Sequence, residues 1–388
     1  MSAERERIDG FGRLEDGLLQ ASGWYLWGPY VSERQWGTVR EDYSADGEAW
    51  AYLPHDHARS RAYRWGEDGL AGFCDIYQRL CLGLAMWNGR DPILKERAFG
   101  LTGAEGNHGE DVKEYWWYLD ALPSHAWNRW RYHYPQAPFP YDGLRRENGR
   151  RGKLDPEYEL LDTGVFDHDR YWIAEVCYAK ADPTDLLMTV QVTNAGPDAD
   201  TVHVLPAAWF RNTWSWDADA PKPVLEGGRG PAVTVAHPFL GSLELIAGTG
   251  PGGTSPVTLF CENETSVARL FGAPPATPYP KDGIGDHVIS GCGHRQPRSA
   301  GNQVRLLVPA DPPAGCHGRV AAAAAPERQR AHGGQRARYR LRPGHQRPAC
   351  RGGRVLRRAD PGGCHRRGGD GDAAGLCRDA VEQAVLQL

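Results

Sequence analysis

The side chains that could carry chemistry are concentrated in one stretch, from Trp24 to Asp68. It combines tryptophans with arginines and carboxylates, namely Trp24, Trp27, Trp36, Trp50, Trp65, Arg34, Arg40, Arg59, Arg61, Arg64, Glu33, Glu41, Asp42, Asp46, Glu48, Asp56, Glu67 and Asp68. A sugar ring offers a weakly apolar C–H face and a rim of hydroxyl groups, so flat aromatic faces beside hydrogen-bonding charged groups suit it. The composition therefore indicates carbohydrate handling.

A subset of these residues forms the candidate substrate-binding set: Trp36, Glu41, Asp42, Asp56, Trp65, Glu67 and Asp68. The alternative is that the tryptophans pack in the core, since large aromatic side chains are on average highly buried. The acids would then hydrogen-bond inside the fold or at a domain interface. The Gly-rich GAEGNHGED loop has the same two interpretations. Its polar side chains, Glu105, Asn107, His108, Glu110 and Asp111, could hold a hydroxyl group or a cation, or could cap neighbouring backbone groups.

The order of residues is more specific than the composition. Four segments carry the pattern: WGPYVSERQWGTVREDYSADGEAW, HDHARSRAYRWGEDGLAG, WNGRDPILKERAFGLTGAEGNHGEDVKEYWWYLD and LPAAWFRNTWSW. From about Trp24 to Trp216 the chain resembles the N-terminal part of bacterial glycoside hydrolase family 63 proteins, the glucosidase-like relatives of mannosyl-oligosaccharide glucosidase.

The resemblance implies an N-terminal β-sandwich followed by a larger (α/α)6 barrel that carries both catalytic carboxylates. It also implies hydrolysis of an α-linked oligosaccharide with inversion, in which one carboxyl group protonates the leaving oxygen and the other activates water, about 6.5–9.5 Å away. We therefore expect no catalytic residue in this chain, whose barrel is expected to be absent. An oligosaccharide is the expected partner, with no cofactor and no metal.

The hydrophobic pattern predicts a mainly β fold, an antiparallel β-sandwich over residues 24–291 after a lead-in helix over residues 1–23. From Tyr158 onward apolar and polar residues alternate in short runs, which are separated by turn signals. The proline-broken aromatic segment Glu114–Tyr141 predicts irregular loops over a sheet edge instead. The arginine run that begins at Arg145 predicts a solvated linker.

The last quarter of the chain has a different composition. All 14 tryptophans lie at or before Trp216, and the last lysine is Lys281. Residues 291–388 contain 18 Arg and 7 acids, a net charge of +11, so the total of −4 leaves −15 on residues 1–290. With so few large apolar residues, residues 292–388 predict a basic, low-complexity and poorly folded tail.

Arginine without lysine, together with abundant Ala, Gly, Pro, His and Cys, is typical of GC-rich codons read out of frame. Two windows support a frameshift near Cys292. Read one base later, codons compatible with Asn302–Ala310 give a sequence like the last strand of the family's sandwich. Codons for Arg378–Gln387 give a sequence like the first aromatic helix of its barrel. The hypothesis is a frameshifted, truncated hydrolase.

Two further function classes remain open. A stand-alone carbohydrate-binding sandwich is one of them. The other is a nucleic-acid-binding protein with a basic arm. The tail argues against this class, because it lacks the aromatic residues that stack on bases. Nine cysteines without framework spacing argue against a disulfide scaffold or zinc site. The charged N-terminus and the lack of a long apolar run predict a cytoplasmic protein without a membrane segment.

Overall fold

A computed structural model describes residues 3–8, 22–31, 33, 44, 46–48, 51–63, 69–106, 112–217, 219–228, 232–291, 300–310, 319–322 and 384–387. These residues belong to one unit of the chain, Met1–Arg330 with Val381–Leu388. The fold is mainly β, and every strand pair among the described residues is antiparallel. None of the described helices has both the length and the apolar character needed to cross a membrane.

The strands are β1 Trp27–Gly28, β2 Leu70–Asp75, β3 Leu80–Trp87, β4 Trp116–Ala121, β5 Trp127–Pro135, β6 Tyr171–Asp182, β7 Asp185–Asn194, β8 Val202–Phe210, β9 Val224–Gly227, β10 Ala232–His237, β11 Gly241–Ala247, β12 Val257–Cys261, β13 Ala300–Gly301, β14 Gln303–Ala310, β15 Arg319–Ala322 and β16 Ala384–Gln387. The α-helices are α1 Ala3–Arg7, α2 His55–Ala58, α3 Tyr141–Arg150, α4 Val267–Phe271 and α5 Gly283–Ser290. Short 3-10 helices cover Gly23–Leu26, Gly103–Glu105, Leu160–Thr163, Asp167–Asp169, Trp214–Trp216 and Pro251–Gly253.

The first sheet has six strands in the order β1-β2-β3-β8-β14-β12. Its strand β3 is a continuous apolar run because both faces of the sheet are covered. Leu82 and Leu84 point into the main core, whereas Cys81 and Ala85 belong to two smaller clusters on the opposite face.

The second sheet has the order β13-β9-β10-β11-β16-β7-β6-β5-β4, and β15 also pairs with β7. Throughout β7, and in β5 as far as Tyr134, buried and partly exposed residues alternate, as expected for strands with one face in the core and one facing solvent. The inward residues of β5, Trp130, Tyr132 and Tyr134, join the same buried cluster as Leu82 and Leu84. The inward-facing residues of both sheets thus form the main core.

The segment expected to form irregular loops is instead the hairpin β4–β5. Its prolines do not interrupt the ladder: Pro123 lies in the turn between the strands, and Pro135 is the last residue of β5. The prediction was wrong because alternation in WNRWRYHYP outweighs the nearby prolines, which fall only where a strand tolerates them.

Two other expectations are corrected. The arginine run from Arg145 lies on α3 and is not an extended linker, because Tyr141 and Leu144 bury one side of this helix. Within the segment expected to be a tail, β14 pairs with β8 and β12, so the six-stranded sheet extends beyond Gly291. The tail's average composition concealed the apolar run from Val304 to Val308. Of the expected lead-in helix, α1 is described, whereas Leu14, Leu18 and Leu19 lie outside the described residues.

Candidate functional site

Asp56 is the member of the predicted substrate-binding set that the structure describes. Trp36, Glu41, Asp42, Trp65, Glu67 and Asp68 lie outside the described residues, as do Asn107, His108, Glu110 and Asp111 of the Gly-rich loop. Asp56 lies on the short helix α2, where Pro54 is the N-cap residue. Its side chain is 68% exposed. This carboxylate is therefore open to a ligand from solution.

Arg145 connects Asp56 to the Gly-rich loop. Its Nη1 lies 3.1 Å from Oδ2 of Asp56, and its Nε lies 2.9 Å from Oε1 of Glu105. These three residues form what we call the Asp56 cluster, which joins α2, α3 and the 3-10 helix Gly103–Glu105. Sequence reasoning missed Arg145 because a run of arginines has the composition of a solvated linker. The signal that could have revealed it is the helical spacing of Tyr141, Leu144 and Asn148 around it.

Glu105 is held in place by local hydrogen bonds. The backbone N–H and the hydroxyl of Thr102 both donate to its Oε2, at 3.1 and 3.0 Å, in a capping box. Gly106 then turns the chain with φ of 94°. The Gly106 backbone packs so closely on Asn148 of α3 that only a residue without Cβ fits. The loop and the helix therefore hold the cluster in a fixed position.

His55, next to Asp56, points inward. Its ring packs edge-on against Phe99 at 4.2 Å and stacks on Tyr141 at 4.7 Å between centroids. Burial, together with the positive charges of Lys95, Arg97, Arg145 and Arg59, holds the pKa of His55 well below its ordinary value. A neutral, enclosed imidazole is a packing group and not a proton donor near neutral pH.

Beneath α2 lies a buried ion pair between Lys95 and Glu114, whose side chains are 2% and 0% exposed. The Lys95 ammonium also lies 3.8 Å from the centroid of Phe139 and 4.8 Å from that of Tyr141. Burial raises the pKa of Glu114, and the charge of Lys95 opposes this rise. The pair fixes the segment that follows β3 to the segment that leads into β4.

A small cleft opens where α2 ends. Its charged lining includes Arg59, Glu96, Lys281, Asp282, Asp286 and Arg305. The cavity volume of about 20 Å³ has room for one water molecule and not for a sugar ring. Asp282 accepts hydrogen bonds from Ser60 at 2.6 Å and from Arg269, so this carboxylate is already occupied. The cleft ties α2 to α5.

The described tryptophans of the Trp24–Asp68 stretch pack as structural residues. Trp27 is buried in the main core, and the Arg7 guanidinium covers the Trp24 ring at 4.7 Å. Lys180 of β6 donates to the backbone carbonyls of Trp24, Trp27 and Ser124. The packing alternative is therefore correct for Trp27.

Glu33 is a buried acid of the same stretch, and its effect on the pH dependence of the unfolding free energy can be tested. Burial raises its pKa to about 7 from an ordinary 4.5, although the Ala71 backbone N–H donates to it at 3.0 Å and opposes the rise. The folded state therefore binds this proton more tightly than the unfolded state. The resulting stability is complete below about pH 4.5 and is lost as the pH rises through about 7. The Glu33→Gln protein lacks this titration. Between about pH 4.5 and 8 it is expected to gain about 3 kcal/mol of unfolding free energy relative to the natural chain.

Urea unfolding of both proteins across that pH range measures this gain. Asp56→Asn, at an exposed carboxylate, is measured in parallel as the control. A pH-independent difference between the Glu33→Gln protein and the natural chain would show that Glu33 is ionised in the fold.

Taken together, the described site offers one exposed carboxylate on a rigid support. The Asp56 cluster can hold a hydroxyl group by hydrogen bonds, with Arg145 keeping the carboxylate oriented. Among the described residues, no group of three or more His, Cys, Asp or Glu side chains is arranged to hold a metal ion. This geometry provides positioning and does not provide an acid and base pair.

Comparison with known proteins gives one curated relative and no family model. No protein-family model matches the chain. The chain is similar to a protein of Saccharomyces cerevisiae described as uncharacterized protein YMR196W, with 38% identity over 310 residues. The match covers 72% of this chain and 28% of the yeast protein. The chain thus spans less than a third of the length of the curated relative that it matches.

Proposed function

We propose that this chain is the N-terminal, non-catalytic part of a glucosidase-like hydrolase of glycoside hydrolase family 63. The observation that supports the proposal is the main core, which joins two antiparallel sheets and includes Trp27, Phe210 and Trp214 of the family-like segments. We infer from it that the two sheets form a β-sandwich, the N-terminal domain that the resemblance implies. In the longer protein this domain would support hydrolysis of an α-linked oligosaccharide by two carboxylates.

The catalytic carboxylates are proposed to lie outside this chain. Two facts support this. The similar yeast protein is more than three times as long as the part of it that the chain matches. The exposed acid of the described candidate site, Asp56, is paired with Arg145, whereas an inverting enzyme needs one protonated and one ionised carboxyl group across a water-sized gap. Asp56 would instead position a sugar hydroxyl.

The experiment compares the 388-residue chain with a longer polypeptide whose reading frame is restored after Gly291. On p-nitrophenyl α-glucoside the longer polypeptide is expected to release nitrophenol, and NMR is expected to show the β-anomer of glucose first. The 388-residue chain is expected to show no turnover above the uncatalysed rate. Turnover by the 388-residue chain, or none by the longer polypeptide on α-glucosides and α-mannosides, overturns the proposal.

The frameshift near Cys292 is proposed together with this function. β14 lies at the window whose shifted reading also gives a strand-like sequence, so its position does not distinguish the two frames.

We also propose a reducing, cytoplasmic location. Cys74 and Cys81 are opposite each other on β2 and β3, and both thiols are free. Cys177 and Cys261 are free as well. Persistent free thiols are typical of a reducing compartment.

A further inference from the structure

Five aromatic side chains form a patch on the solvent side of the ten-stranded sheet. Ring contacts link them into a closed circuit: Trp117 to His133, His133 to Tyr171, Tyr171 to Phe166, Phe166 to Tyr115 and Tyr115 back to Trp117, with centroid distances of 4.8, 4.9, 5.5, 6.0 and 6.4 Å. None of the five is buried, and Trp117 is 42% exposed. We call this group the aromatic patch.

The register of the strands places the side chains of the patch on one face of the sheet. Burial alternates along β5, so His133 points to solvent between the core residues Tyr132 and Tyr134. Trp117 lies on the edge strand β4, directly opposite Arg131 of β5. Tyr118, which lies opposite the core residue Trp130, projects from the other face of β4 and does not belong to the patch. A contiguous exposed aromatic surface of this kind marks a binding surface.

A charged row runs beside the patch on the same face. Arg131 is opposite Glu175 of β6, which is opposite Gln191 of β7. Arg129 Nη2 donates to Glu175 at 2.6 Å, and Arg131 Nε donates to it at 2.9 Å. Arg131 precedes His133 by two residues, about 6.6–6.8 Å along a strand, so a sugar ring on the patch would place hydroxyls over this row.

The charges of this row suit a neutral, hydroxylated ligand. Glu175 offsets one of the two guanidinium charges, while each guanidinium has five N–H donors and remains more than a third exposed. A hydroxyl group can accept from these donors without breaking the ion pairs. An apolar protein partner would have to desolvate the same ion pairs, which is costly.

We propose that the aromatic patch and its charged row bind a neutral oligosaccharide, with Trp117 as the main stacking residue. This binding surface goes beyond the proposed function because it holds an intact glycan and does not cleave it. Stacking of the sugar ring on Trp117 supplies affinity, and Arg131 with Glu175 forms hydrogen bonds to the hydroxyl groups at the rim of the sugar.

Isothermal titration of the 388-residue chain tests the proposal, with maltotriose, isomaltotriose and α-mannotriose as probes up to roughly 10 mM, since a millimolar Kd still gives a measurable binding free energy. At least one probe is expected to bind. Trp117→Ala is expected to weaken that binding by about tenfold or more, as for other central aromatic contacts. Trp117→Phe is expected to retain most of the affinity. Arg131→Met is expected to weaken binding by a smaller factor.

Phe239 provides a matched control because it is an aromatic residue of the β10–β11 turn and is 73% exposed. Phe239→Ala is expected to leave binding unchanged. Far-ultraviolet circular dichroism and the melting temperature show that each variant is folded. The proposal is overturned if no probe binds, if Trp117→Ala binds like the natural chain, or if Trp117→Ala changes only the oligomeric state in sedimentation. None of these outcomes affects the hydrolysis assay of the longer polypeptide, so failure of this surface and failure of the proposed function are distinguishable.

Discussion

Replacing Glu114 with methionine is expected to lower the free energy of unfolding by about 3–5 kcal/mol, because it leaves a buried ammonium group without its counter-charge. Lys95 and Glu114 are almost completely removed from solvent, and the Lys95 ammonium otherwise faces the Phe139 and Tyr141 rings. These rings attract a cation but cannot replace a carboxylate. Equilibrium urea unfolding at neutral pH measures the loss.

The double variant Lys95→Met with Glu114→Met is the matched control. Since both charges are removed, it is expected to recover most of the lost stability, as buried ion pairs often do when replaced by apolar side chains. Glu147→Gln removes a partly exposed partner of Arg150 and Arg151 and should leave stability nearly unchanged. A Glu114→Met protein as stable as the natural chain would show that the pair is not buried in solution.

Gly106→Ala is expected to lower the free energy of unfolding by about 3–5 kcal/mol, from left-handed backbone strain and steric overlap together. At this position φ is 94°, and an added Cβ would lie 2.3 Å from the Asn148 backbone carbon and 2.5 Å from the Gly149 nitrogen. These atoms belong to α3, which cannot move without displacing Arg145. The change should therefore also disturb the Asp56 cluster. Thermal unfolding and the crystal structure of the variant measure both effects.

Gly89 separates the two causes. Its φ is 76°, yet nothing lies within 4 Å of an added Cβ. Gly89→Ala is therefore expected to cost about 1 kcal/mol, from strain alone. If Gly106→Ala and Gly89→Ala have equal effects, the loop does not pack against α3 as described.

The sequence predicted the parts of the fold in which local pattern and tertiary environment agree. Alternation from Tyr158 onward predicted β6, β7 and β8, since residues that alternate in polarity can cover one face of a sheet. The dipeptide Asn88-Gly89 is typical of a turn, and Gly89 has a positive φ. In these segments each residue type fits its environment without help from distant contacts.

The misses arose where distant contacts decide the structure. The hairpin β4–β5 forms because Trp130 and Tyr132 reach a core made by another sheet, which the prolines nearby do not reveal. The face that carries Trp117 and Arg131 depends on the register between β4 and β5. The sequence could indicate aromatic and charged residues suited to sugars, but it could not show which of them meet on one surface.

The same limit applied to the candidate site. Asp56 was predicted as a sugar contact from its neighbours in the sequence, and it lies exposed on α2. Its partner Arg145 is 89 residues away along the chain. Arg145 lies on α3, a helix whose composition is that of a solvated linker. Trp27 shows the reverse case, because its aromatic character suits a sugar and a core equally well, and burial decides for the core.

We propose that the β-rich body continues, in the gene, into a catalytic domain, and that the residues after Gly291 are read in a shifted frame. Sequencing the gene across the codons for Gly291 to Gly293 from independent isolates tests this most directly. We expect a one-base difference that opens a long continuous frame, with an aromatic helix where Arg378–Gln387 now stands. An unchanged sequence that keeps the present frame through Leu388 in every isolate would contradict it.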